Sequence, residues 1–132
     1  MVNLNWNEVV NIAGISNRQK RAIIATLFVM MGSKESTSEK EIDFIELIAS
    51  LLDVDMTSSY FTTMIEEEEI TQAINTLDRA KKEWLLTALH TLTMIDGKIE
   101  EIESIFLIGF ASDMGISRSE LSTLIRNIEN KI

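Results

Sequence analysis

The sequence predicts an all-α fold, a compact bundle of about seven or eight helices with an internal pseudo-two-fold duplication. Three observations carry that prediction. No proline and only five glycines punctuate the chain. Apolar residues recur at helical spacing in segment after segment, and strand-like alternation persists nowhere for long. The chain also repeats itself at a fixed offset of 62 residues.

Helices are expected near residues 5–14, 17–31, 39–52, 57–65, 69–77, 79–95, 101–114 and 118–130. The first carries Trp6 on an otherwise polar segment. The second opens on the capping box Ser16-x-x-Gln19, in which hydroxyl and amide satisfy orphan backbone N–H groups reciprocally. It continues into Ala22–Gly32, apolar on nearly every side, which reads as a helix buried all round. That run is about half of the roughly 20 residues a membrane span needs. The third follows a second box, Ser38-x-x-Glu41, and sets Ile42, Ile45, Ile48, Ala49 and Leu52 on one face.

The two short middle helices flank Glu66-Glu67-Glu68-Glu69, which reads as a solvated face. The long helix after them aligns Trp84, Leu85, Ala88, Leu89 and Leu92. The next aligns Ile102, Ile105, Phe106, Gly109 and Phe110. The last starts at a third box, Ser117-x-x-Glu120, and aligns Leu121, Leu124, Ile125 and Ile128. The seven methionines read as core gap-fillers.

Shifting the chain by 62 residues pairs Ile23 with Leu85, Leu27 with Leu89 and Met30 with Leu92. The same shift pairs Glu41 with Glu103, Phe44 with Phe106, Ile48 with Phe110, Ala49-Ser50 with Ala111-Ser112, and Val54 with Ile116. Residues 1–132 therefore read as one domain of two similar halves, roughly 17–65 and 79–130. Two copies suit a closed bundle rather than an open solenoid.

Composition narrows the function classes. Twelve basic against 21 acidic residues give a net charge of −9, a field that repels nucleic-acid phosphates. The basic cluster Arg18-Gln19-Lys20-Arg21 is short. With no cysteine, neither a disulfide framework nor a thiolate metal site is available, and a reducing, cytoplasmic location is expected. Met1–Trp6 has no basic flank or apolar run, so no secretory signal is expected there.

One constellation invites chemistry. Met94-Ile-Asp96-Gly97-Lys98-Ile99-Glu100-Glu101-Ile102-Glu103 has the outline of the second half of a calcium-binding EF-hand loop. The first half fails: its ligand positions fall on Leu92 and Met94, which have no oxygen to donate. An EF-hand is excluded.

The same residues, a helix followed by Asp-Gly-x-Ile, an acidic helix start and Ala-x-x-Met-Gly-Ile-Ser, resemble the TerB-like family of tellurite-resistance type. The likeness is best over Lys82–Ser117 and looser over Lys20–Asp55, where Lys34-Glu35 stand at the positions of Asp96-Gly97. The resemblance implies an all-α fold of two pseudo-symmetric halves and an acidic cluster that binds divalent metal. It also implies a role in stress-response or membrane-linked complexes rather than catalysis. Asp96, Glu100 and Glu103 would be the ligands, holding Ca²⁺ or Mg²⁺ at about millimolar strength. The competing reading needs no ion. Asp96-Gly97 is a natural helix stop, and Glu100, Glu101 and Glu103 complement the dipole of the helix they begin.

His90, the one histidine, has Leu86, Thr87, Thr93 and Met94 at helical neighbour positions and reads as a partly exposed surface residue. No nucleophile elbow is present. A non-catalytic interaction module with a protein partner is the leading expectation. The alternatives are a carboxylate-based enzyme with a cleft between the halves, and a peripheral membrane protein using Arg18–Arg21. A flank of Ala22–Met31 is the candidate surface for a homodimer.

Overall fold

A computed structural model describes residues 14–32, 39–63, 65–95 and 101–129. Those residues form seven helices and no strand: α1 (Asn17–Gly32), α2 (Glu39–Leu51), α3 (Ser59–Thr62), α4 (Glu67–Asn75), α5 (Arg79–Met94), α6 (Glu101–Asp113) and α7 (Arg118–Glu129). The expected helix over 5–14 and the Ser38 half of the second capping box lie outside the described residues.

Local chemistry sets the helix starts. At α1 the Ser16 hydroxyl accepts from the Gln19 backbone N–H (3.2 Å), and the Gln19 side chain accepts from the Ser16 N–H (2.8 Å). At α7 the Glu120 N–H donates to the Ser117 hydroxyl and the Ser117 N–H to the Glu120 carboxylate, both at 3.1 Å. Asp78 caps α5 by accepting from the Lys81 N–H at 2.9 Å. The segment expected as a helix over 57–65 shortens to α3. Asp55 accepts from both the N–H and the hydroxyl of Thr57 (2.9 and 2.6 Å), a turn that competes with helix. At the other end Thr63 is extended. The Glu66–Glu69 run is the start of α4, where Glu67, Glu68 and Glu69 face the positive end of the helix dipole.

The centre of the bundle is α5. All ten residues from Trp84 to Thr93 are buried, with α1, α6 and α7 packed around them. The threonines among them turn their hydroxyls onto the carbonyls of Glu83, Thr87 and His90, so their burial leaves these groups satisfied. α1 packs against α2, α3, α4, α5 and α6. It is nevertheless not buried all round, since Phe28 and Val29 are 37% and 40% exposed. The all-round burial expected of α1 belongs to α5.

The 62-residue offset seen in the sequence holds in the geometry. α1 and α5 both have 16 residues and α2 and α6 both have 13, and every boundary corresponds at that offset. So do the caps Ser16 and Asp78. Past α2 and α6, Asp53 and Gly115 take positive φ, 56° and 75°. The Val54 N–H then returns to the Ala49 carbonyl (2.9 Å) and the Ile116 N–H to that of Ala111 (2.8 Å), the same helix-ending motif twice. Buried positions match as well: Ile23 with Leu85, Leu27 with Leu89, Met30 with Leu92, Ile45 with Leu107 and Ala49 with Ala111.

The face expected of α6 is corrected by the same comparison. Its buried side carries Glu103, Leu107 and Ala111, with Met114 buried just past its end, whereas Ile105 is 61% exposed and Phe106 36%. A helix apolar on most sides gives periodicity no single face to select. On α2, Ile42 likewise points outward, and Phe44, Ile45, Ile48 and Ala49 form the inner side.

Candidate functional site

Of the three carboxylates singled out in the sequence, Asp96 and Glu100 lie outside the described residues. Glu103 is the third residue of α6 and is fully buried. Its counterpart Glu41, the third residue of α2, is buried to the same degree. A buried carboxylate is costly unless it is compensated, and a first-turn position offers helix N–H groups and the positive end of the dipole. Each of these glutamates takes part in an interaction within the protein. Among the described residues no group of three or more His, Cys, Asp or Glu could hold a metal ion.

His90 is buried rather than partly exposed, at a part of α5 against which α6 and α7 pack. With Ser104, Arg118 and Ser122 it lines a cleft of about 300 Å³ between α5, α6 and α7. No carboxylate lines that cleft among the described residues.

Two charge motifs that read separately in the sequence are partners in space. The Arg18 Nε lies 2.6 Å from Glu69 Oε1 and its Nη2 lies 3.2 Å from Oε2, a two-point pair joining α1 to α4. The pair raises the Arg18 pKa and lowers that of Glu69. Gln19 adds a 2.8 Å bond to Thr76. Arg21 stacks over the Tyr60 ring, 4.9 Å from its centroid. Arg18, Gln19 and Arg21 of the basic cluster are thereby engaged within the chain.

An apolar groove of about 530 Å³ lies between α1, α4 and α6. Its floor includes Ile70, Ile74, Leu85 and Met114, and its walls include Val29, Ile105, Phe106 and Phe110. The Phe106 and Phe110 rings stack with centroids 6.3 Å apart. The groove is open to solvent, as the exposure of Val29, Ile105 and Phe106 requires. Two exposed acids, Glu67 and Asp113, also line it.

Here the two halves part company. Phe44 and Ile48, the counterparts of Phe106 and Phe110, are 8% and 0% exposed. In one half this helix face is closed over by the protein; in the other it forms the groove wall. Pairing Phe44 with Phe106 was within reach of the sequence, but what covers each depends on how the helices pack.

In comparisons with protein-family models, curated proteins and solved structures, nothing matches this chain.

Proposed function

We propose that this protein is a non-catalytic interaction module of TerB-like type, built by internal duplication, whose docking surface is the groove between α1, α4 and α6. One observation carries the reading: above the buried floor of an open groove stand Val29, Ile105 and Phe106, large apolar side chains left exposed at its walls. Contiguous exposed apolar surface of that kind marks interaction sites in soluble proteins. The matched helices, caps and chain reversals at 62-residue spacing support the duplication. No helix among the described residues is long and apolar enough to cross a membrane. The commitment of Arg18 and Arg21 to Glu69 and Tyr60 weighs against the membrane-surface alternative.

The TerB-like resemblance brings a divalent cation with it, held by Asp96, Glu100 and Glu103. The equal burial of Glu41, in the half that has Lys34-Glu35 in place of Asp96-Gly97, supports a different role for these glutamates. On this reading both carboxylates serve the fold at helix starts, where the positive end of the dipole favours them, and the module needs no resident ion. Amide NMR under Ca²⁺ and Mg²⁺ tests this point. Shifts over residues 94–104 that saturate below about 10 mM ion and vanish in Asp96→Asn/Glu103→Gln would restore the cation site.

The module itself is tested by native mass spectrometry of the protein from its own host, beside Ile105→Asp. The expected result is a stoichiometric complex with a second polypeptide that the substitution abolishes. A monomer in both preparations contradicts the reading.

A further inference from the structure

Helices supply most of the groove's lining among the described residues, and no strand edge exists among them to template an extended peptide. The groove walls stand at the surface, so a small molecule would keep much of its area in water, whereas ligand pockets bury most of theirs. The duplication adds an independent argument. Phe106 and Phe110 occupy positions whose counterparts, Phe44 and Ile48, are covered within the fold, so an apolar face laid on α6 restores the same environment.

Charge then selects among apolar faces. Glu67 and Asp113 are in no ion pair among the described residues, while Arg18, Arg79 and Lys81 are held by Glu69, Glu83, Glu120 and Asp78. The chain as a whole carries −9. A second copy would bring acid to acid, which opposes self-association. A cationic rim is attracted instead.

Gly109 fits the same picture. It lies within α6 and lines the groove, its counterpart is Leu47, and a Cβ built on it meets nothing within 4 Å. Glycine inside a helix weakens it. Neither packing nor backbone geometry within the chain demands glycine here, and its effect is to leave the groove open beside Phe106 and Phe110.

We propose that the groove between α1, α4 and α6 takes an amphipathic helix of another polypeptide, apolar on the inserted face and flanked by lysine or arginine near Glu67 and Asp113. The proposal rests on the reading of this protein as an interaction module. It deepens that reading by naming the partner's chemistry.

The probes are three synthetic peptides of about 15 residues, long enough for a helix face. One carries leucines at i, i+3, i+4 and i+7 on a lysine background. A second has the same leucines with glutamate, and a third scrambles the first so that no apolar face forms. Calorimetry and amide NMR should show the lysine peptide binding at least about tenfold more tightly than either control, with affinity falling as salt is raised. Shifts should centre on Val29, Ile70, Phe106 and Phe110. Glu67→Lys/Asp113→Lys should reverse the preference between the lysine and glutamate peptides. Gly109→Leu, which fills open space and keeps the helix, should weaken the lysine peptide by about tenfold or more while the spectrum stays folded.

Equal binding of the first and scrambled peptides overturns the proposal, as does binding that Gly109→Leu leaves unchanged. Self-association through Ile105 overturns it too. If native mass spectrometry finds an Ile105-dependent protein partner but the lysine peptide fails, only the basic-helix assignment falls. If it finds no partner, the interaction module falls with it.

Discussion

Glu41 and Glu103 stand 62 positions apart, each the third residue of a 13-residue helix, and each is buried although it is a carboxylate. Equivalent positions with equivalent burial should respond alike to substitution. Glu41→Ala and Glu103→Ala are each expected to destabilise the fold by about 1–3 kcal/mol, the usual cost when a buried polar partner is removed. Urea denaturation of both variants measures it. A loss confined to Glu103→Ala would separate the two halves.

Trp84 is 1% exposed at the heart of α5. Trp84→Ala should cost about 3–5 kcal/mol, through lost burial and the cavity left behind. A change below about 1 kcal/mol in thermal or urea unfolding would contradict the central place given to α5.

The sequence shows most of the helices and little of what they face. Periodicity and capping residues locate α1, α2, α5, α6 and α7 to within a residue or two, because the signals are local. The inner faces of α1 and α6 stay hidden for a physical reason. Both are apolar on most sides, so only the neighbours decide that Phe28, Val29, Ile105 and Phe106 point outward. An acid in a first helical turn reads as solvated, and nothing local announces that Glu103 is buried. His90 likewise looks exposed until α6 and α7 are in place. The pairing of Arg18 with Glu69 spans 51 residues, a separation that no motif encodes.

Asp53 and Gly115 both hold positive φ, a region that glycine occupies without steric cost and other residues do not. Gly115→Ala should therefore destabilise by about 1 kcal/mol and Asp53→Gly should stabilise by several tenths to about 1 kcal/mol. Denaturation midpoints moving in the same direction for both would contradict the shared turn geometry.

Glu120 accepts from the Ser117 N–H and pairs with Arg79 at 2.6 Å, which lowers its pKa from 4.5 to about 2. Its folded pKa lies below its unfolded value, so its charge contributes stability above pH 4.5 and loses that contribution as pH falls toward about 2. Glu120→Gln keeps the shape of the cap and removes the charge. The stability gap between wild type and Glu120→Gln should be constant near neutrality and close between pH 4.5 and about 2. A gap that persists at the acid end would assign the effect to the cap instead.

Gly109→Ala should raise the stability of the free protein by about 0.5–1 kcal/mol, since the new methyl group meets nothing and the helix gains. A lower melting temperature would show that the open space beside α6 is needed for folding rather than for docking.

The most direct test places a photo-crosslinking amino acid at Ile105, on the groove wall, and at Ser122, exposed on α7, in cells of the native host. The account predicts a discrete adduct with another polypeptide from position 105 and none from position 122. Adducts of equal yield at both positions, or none from position 105, would contradict it.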